Sequence, residues 1–199
     1  MHVAIILFDG FDELDAVGPY RVFEGAATAG ADVTVSLVTV EPAETVTASH
    51  GLQVVPDGTL DSATPDLVVV PGGGWNDRDE QGAWAEAERG DIPDRLARLH
   101  EAGIPIASVC TGAMLLERAG LLDGRPAATH HGARADLAAT DAIVRDDRVV
   151  DDGDILTAGG VTSGIDLALH VVEREFSADI AETVAAELEY EPQAPIAET

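Results

Sequence analysis

Short apolar runs alternate along this chain with stretches whose apolar residues recur at helical spacing. Val3–Phe8 is a continuous apolar run, the mark of a strand buried on both faces. Leu14–Ala29 has the period of a helix and closes near Gly30. Asp32–Val40 predicts a second strand, and Val46–Ser49 and Leu52–Val55 flank His50-Gly51 as a small hairpin. Asp66–Val70 is a further apolar strand that runs into Pro71–Gly74. Trp84–Arg89 and Ile92–Ala102 predict helices, Ile104–Val109 a strand, and Thr111–Ala119 a helix directly after it. Arg148–Val150 and Ile155–Thr157 flank Asp151-Asp152-Gly153 as a second hairpin. Val161–Phe176 and Ala178–Leu188 predict the last helices, the second capped by Ser177. Residues 1–190 are thus expected to form one domain, and the Pro-containing tail 191–199 to fray.

Strands and helices that alternate in this way predict an α/β fold: a flavodoxin-like three-layer sandwich around a mostly parallel sheet. In such folds the ligand crevice lies outside the carboxyl ends of the strands. Three strand ends carry unusual residues: Asp9–Asp15 after the first, Pro71–Gly74 after the third long one, and Cys110-Thr111 after the fourth. They are expected to converge on one crevice.

Composition narrows the partners. The chain has 37 Asp and Glu against 11 basic residues, all of them Arg, for a net charge of −26. Such a field repels nucleic-acid phosphates and anionic lipid, so neither is an expected partner. Acidity of this order can mean disorder, but 46% of the residues are hydrophobic and the apolar runs are regular. A folded domain with an acidic coat fits better, and we read the coat as an adaptation to high salt, where screening cuts self-repulsion. No apolar run approaches the length of a membrane span. The start, Met1–Asp9, reads as a core strand rather than a signal peptide, so a cytoplasmic location is expected. A single cysteine excludes an internal disulfide or a multi-cysteine metal site, and no His-x-Glu-x-His or similar cluster points to a metal. No cofactor is expected.

That cysteine, Cys110, carries the strongest chemical signal. A lone cysteine is most often a small buried hydrophobe. This one stands where an apolar strand turns into a helix, the setting of a nucleophile elbow, where helix N–H groups and the helix dipole favour thiolate. Gly72-Gly73-Gly74 supplies backbone that a ligand can approach closely, and the Gly73 and Thr111 N–H groups are candidates for an oxyanion hole beside the sulfur. The triple glycine lacks both the Gly-Lys-Ser/Thr ending of a phosphate loop and the spacing of a dinucleotide site. Most carboxylates in so acidic a chain face solvent. Asp15 differs, because it lies just inside a helix start between Leu14 and Ala16–Pro19. A half-buried carboxyl there is a candidate to be partly protonated and to relay a proton to the sulfur. His130-His131 is the place to seek a base for a Cys–His pair, although adjacent side chains diverge and at most one can reach the sulfur.

These residues resemble the ThiJ/PfpI superfamily, which shares its fold with class I glutamine amidotransferases. The resemblance rests on Leu14-Asp15-x-x-Gly18-Pro19, Pro71-Gly72-Gly73, Ser108-Val-Cys110-Thr111-Gly112-Ala113, Gly120-Leu-Leu-Asp-Gly124-Arg125, Ala128-Thr129-His130 and the run Thr157–Ala168 around Gly159-Gly160. It covers nearly the whole chain, and Cys-Thr-Gly with Leu-Asp-x-x-Gly-Pro is similar to the isonitrile hydratase branch. The resemblance implies Cys110 as nucleophile, Asp15 as its acidic partner, Gly73, with Gly72 beside it, and Thr111 at the oxyanion site, and His130 near the pocket. It also implies a homodimer acting on a small-molecule substrate. Thr111 stands where the peptidase-like branch carries a histidine, which counts against protease or amidase chemistry of that type. Two alternatives remain beside the hydratase: glyoxalase- or deglycase-like action on 2-oxoaldehydes, and a non-enzymatic cysteine-based redox sensor.

Overall fold

Val3–Ile6 are fully buried, so the first strand, β1 (His2–Ile6), sits in the middle of the sheet rather than at an edge. The computed structural model describes residues 1–193 and 196–198. After β1 come α1 (Glu13–Thr28), β2 (Thr34–Thr39), β3 (Val46–Thr47), β4 (Gln53–Val54), β5 (Gly58–Thr59), α2 (Leu60–Ala63) and β6 (Leu67–Val70). Next are α3 (Ala83–Arg89), α4 (Asp91–Glu101), β7 (Ile106–Val109), a 3-10 turn at Cys110–Gly112 and α5 (Ala113–Arg118). The remainder comprises β8 (Pro126–Ala127), α6 (Arg134–Leu137), β9 (Ile143–Val144), β10 (Val149–Asp151), β11 (Ile155–Ala158), α7 (Ser163–Glu175), α8 (Ala178–Glu187) and β12 (Ile196–Glu198).

The main sheet runs β12-β10-β11-β7-β6-β1-β2-β5. β11, β7, β6, β1, β2 and β5 pair in parallel, and β10 joins β11 antiparallel. α1, α7 and α8 pack on one face, and α3, α4 and α5 on the other, which gives the expected three-layer sandwich. The order reverses between β1 and β6: the chain leaves β1 for β2 on one side and then returns to build β6, β7 and β11 on the other. That reversal opens a crevice at the carboxyl ends of the strands.

Both hairpins read from the sequence are present, as β3–β4 and β10–β11. The Ser177 hydroxyl caps α8 by accepting from Ile180 N–H at 3.3 Å. The helix expected from Val161 starts two residues later, because Val161 itself takes a left-handed backbone (φ 43°). The helix expected from Thr111 opens as the 3-10 turn. Part of the tail departs from its reading as frayed. Gln193 N–H donates to Asp166 at 2.8 Å, and beyond it Ile196–Glu198 add to the sheet edge in parallel with β10, with Ile196 packed against the core.

α1 and α7 approach closely on the face behind Cys110. A Cβ on Gly164 would lie 3.1 Å from Val109 and 3.2 Å from Pro19, and one on Gly18 would lie 3.3 Å from Ile165. The Gly18-Pro19 motif is therefore a packing device that brings the start of α7 against α1 and β7. Pro19, inside α1, also has no N–H to give the Asp15 carbonyl.

Candidate active site

Cys110 follows β7 directly and adopts φ 58°, a left-handed conformation uncommon for a residue with a Cβ. Three hydrogen bonds hold it there. Its N–H donates to the Gly159 carbonyl at 2.8 Å, its carbonyl accepts from the Thr129 hydroxyl at 3.0 Å, and the Ala113 N–H closes the following turn on Thr111. The backbone amides of Val161 and Thr111 favour the charged form of the sulfur. Val161 is the second strained residue at this point, at φ 43°. The sequence places Cys110 at an elbow and reads Val161 only as the start of a helix; it does not single out Val161 or Thr129.

Asp15 lies in the first turn of α1, which is capped by Asp12 through a 3.0 Å bond from Leu14 N–H. Its carboxyl is fully buried (0% exposed). Oδ2 accepts from Gly72 N–H at 2.9 Å, while Oδ1 has no well-formed partner. Burial above all, and then the nearby Asp12 charge, raise its pKa to about 8; the Gly72 amide and the Cys110 thiol oppose them without winning. At neutral pH Asp15 is therefore a carboxylic acid set against the sulfur.

Two expectations about this site are corrected by its geometry. The thiol was expected to be acidified by its helix. Burial and the proximity of Asp15 instead push its pKa up, against the Val161 and Thr111 amides. Cys110 is only 6% exposed, and the helix that should supply the dipole begins as a 3-10 turn and continues for six residues. Protonation of Asp15 removes the like-charge part of that penalty, so the two titrations are coupled. The second correction concerns Gly73. Its N–H, assigned to an oxyanion hole, donates to the Thr111 hydroxyl at 2.9 Å. The amides aimed at the sulfur are those of Thr111 and Val161. Gly72 and Gly73 act through their lack of a side chain. A Cβ on Gly72 would fall 2.5 Å from the Thr111 nitrogen, and one on Gly73 (φ 121°) would fall 2.4 Å from the Gly10 carbonyl.

His130 stands at the rim, half exposed, with its ring against Gly160. Its Nδ1 accepts from Gly132 N–H at 3.1 Å and lies 3.4 Å from the Asn76 amide. The proton of the neutral ring is thereby assigned to Nε2. Burial and the neighbouring His131 hold its pKa down. His131 lies against it with the ring planes tilted by 44° and 4.1 Å between ring centres. The loop after Gly74 folds over this rim: Trp75 Nε1 donates to Asp136 at 2.8 Å, and Trp84 packs edge-on against Trp75.

Among the described residues one trio, Asp12, Glu13 and His50, brings possible metal-ligand atoms within 4.8 Å of one another. Glu13 and His50 are already paired at 2.7 Å, and Cys110 is not in the group. Among the described residues no helix is long and apolar enough to cross a membrane.

The comparisons with known proteins agree with the fold. The family model described as DJ-1/PfpI family matches residues 1–174. An isonitrile hydratase from Pseudomonas putida is 36% identical over 98% of this chain and 81% of its own length. A Parkinson disease protein 7 homolog from Danio rerio is 30% identical over 92% of this chain and 94% of its own. A crystal structure of a ThiJ/PfpI family protein from Pseudomonas syringae superposes with a TM-score of 0.81 at 30% identity, covering 98% of this chain and 76% of that one.

Proposed function

The chain belongs to the DJ-1/PfpI family, and on that footing we propose that it is a cysteine-dependent hydratase of small molecules whose substrates are isonitriles. The observation that carries the reading is the fully buried, under-partnered Asp15 carboxyl beside the Cys110 thiol, where burial raises its pKa to about 8. An isonitrile presents a carbon that accepts a nucleophile and a proton at the same atom. The Cys110 sulfur forms a bond to the terminal carbon, and Asp15 gives that carbon its proton. The thiol proton replaces the one lost from Asp15, leaving a thioimidate, S–CH=N–R. Water then adds to the C=N carbon, the C–S bond breaks, the proton returns to sulfur, and an N-substituted formamide leaves. The sum is one isonitrile and one water to one formamide, with no redox step and no cofactor.

The similarity to an isonitrile hydratase supports this reading. So does His130, whose Nδ1 is engaged by Gly132 and whose proton-accepting strength is reduced by burial. Chemistry on 2-oxoaldehydes calls for a histidine base near the sulfur, and His130 is poorly placed to serve. A redox sensor needs a readily formed thiolate, and burial works against one here. The test is infrared or NMR detection of formamide from a simple alkyl isonitrile, with the folded protein in molar KCl. Turnover by the wild type and none by Cys110→Ala is expected; no formamide from the folded wild type overturns the assignment.

A further inference from the structure

The turn that carries the Val161 amide is held from outside the site. Gly159 N–H donates to the Arg148 carbonyl at 2.9 Å, and the Gly159 carbonyl in turn accepts from Cys110 N–H. At the other end of the turn, the Arg148 guanidinium donates to the Thr162 hydroxyl at 2.9 Å. One residue thus grips both sides of the segment 159–162. The same guanidinium pairs with Asp166, whose carboxyl is 3% exposed, and donates to the Tyr190 hydroxyl at 3.2 Å. Tyr190 donates to Asp166 at 2.8 Å, and Asp166 also accepts from Gln193 N–H. Every polar atom of this cluster named here has a partner, and none of these side chains contacts the sulfur.

We propose that Arg148 is a positioning residue for Cys110: with Asp166 and Tyr190 it locks the 159–162 turn so that the strained Val161 N–H stays aimed at the sulfur. The proposal rests on the reading of Cys110 as the reactive sulfur, and it adds that the chain from Tyr190 to Gln193 takes part in tuning it. Three restraints converge on the guanidinium, and the fork geometry of arginine meets them together; a lysine ammonium offers one point charge on a flexible stem. Val161 is held in a left-handed conformation that a β-branched residue rarely adopts. When the clamp is released, the turn can relax and the amide is free to leave the sulfur.

The test reads the thiol directly and needs no substrate. The pH dependence of Cys110 alkylation by iodoacetamide is followed by intact-protein mass spectrometry, in molar KCl. Loss of one amide hydrogen bond to a thiolate is expected to raise the alkylation midpoint by about one pH unit, a roughly tenfold slower reaction at neutral pH. Arg148→Met should show the full shift, Tyr190→Phe a smaller one, and Arg148→Lys only partial recovery. The decisive pair is at the exposed Thr162. Thr162→Val should shift the midpoint with little change in melting temperature, and Thr162→Ser should restore it. If Arg148→Met fails to fold, the Thr162 pair still decides. Midpoints equal to wild type in Thr162→Val, or a Cys110 that does not react in any form, overturn the proposal. Isonitrile turnover measured on the same preparations keeps the two readings apart. A shifted midpoint without wild-type turnover leaves the clamp and removes the hydratase, whereas turnover with unshifted midpoints does the reverse.

Discussion

Asp15, in the first turn of α1, and Asp151, at the end of β10, are both buried carboxylates, and their surroundings are opposite. Asp151 accepts from His170 Nε2 at 2.7 Å, from Arg174 at 3.0 Å and from Gly153 N–H at 2.9 Å. Burial pushes its pKa up, but His170, Gly153 and Arg174 together hold it below the usual carboxylate range. Asp15 has one backbone amide, no cation, and an oxygen without a good partner. Its pKa rises to about 8. A fold that builds a fully satisfied carboxylate at one corner leaves another unsatisfied beside its only cysteine. Burial pushes both pKa values up; the neighbours overcome it at Asp151 and not at Asp15, and that separates a carboxylate that holds structure from a carboxylic acid that can hand over a proton.

The largest effects break the Asp15 side. Cys110→Ala is expected to abolish formamide formation, a loss of at least ~10³-fold, with no fall in melting temperature, since the substitution also relieves a buried thiol beside a carboxyl. Asp15→Asn keeps the shape and can still accept from Gly72 N–H but carries no transferable proton, and turnover is expected to fall by ~10²–10⁴-fold. In the wild type, turnover should decline as pH rises through about 8 and Asp15 loses its proton. Retention of full activity at pH 10 would remove Asp15 from the mechanism.

Stability sharpens the same contrast, with opposite signs. The folded pKa of Asp15 lies above its unfolded value of 3.8, so the native state binds the proton more tightly. Its contribution to stability is greatest below pH 4 and is lost as pH rises through about 8, at up to roughly 1.4 kcal/mol per pH unit. Asp15→Asn is therefore expected to raise the melting temperature at pH 8, by an amount worth about 1–3 kcal/mol. Asp151 has a depressed folded pKa, so its contribution is present above the unfolded value and is lost only in acid, as pH falls below about 4. Asp151→Asn leaves His170 and Arg174 without their shared anion and is expected to cost about 3 kcal/mol at neutral pH. Its effect on turnover should stay within ~3-fold, because none of these groups meets the sulfur. Thermal melts of the wild type and the two variants across about pH 2–9 check both signs at once.

How much of this was legible in the sequence follows from how local each feature is. The parallel sheet, the three converging strand ends, Cys110 and Asp15 each show in a run of a few residues, because period and turn chemistry are local. Residues 120–147 contain only two-residue strands, a three-residue 3-10 turn and a four-residue helix, too short for any period to show. Asp166 reads in sequence as an ordinary first-turn acid, and nothing local ties it to Arg148, 18 residues away, or to Tyr190, 24 residues away. The capture of the Gly73 amide by Thr111 spans 38 residues and depends on how close Gly72 lets the two loops come. The strain at Val161 left no mark either, since valine is among the residues least suited to that backbone. The thiol's raised pKa escaped for a related reason: a strand-to-helix turn announces an elbow, but not how deeply it is buried.

The smallest expected effect completes the comparison, through the histidines. A histidine that acts as a base beside a nucleophile commonly has a carboxylate on its other nitrogen. This fold contains such a pair, His170 with Asp151, but in the corner that holds no sulfur. The histidine near Cys110 has its Nδ1 on a backbone amide and an asparagine instead, and burial together with His131 weakens it as a proton acceptor. If isonitrile hydration takes its proton from Asp15, His130→Gln should change turnover by no more than ~3-fold, most of it in KM, because glutamine keeps an acceptor for Gly132 and a donor at the rim. A drop in kcat of ~10²-fold would instead make His130 a working base. The division between a satisfied corner and an unsatisfied site would then fail, because the base would function without the carboxylate partner that the other corner supplies. Activity on a 2-oxoaldehyde such as methylglyoxal, lost in the same variant, would identify the chemistry that such a base serves.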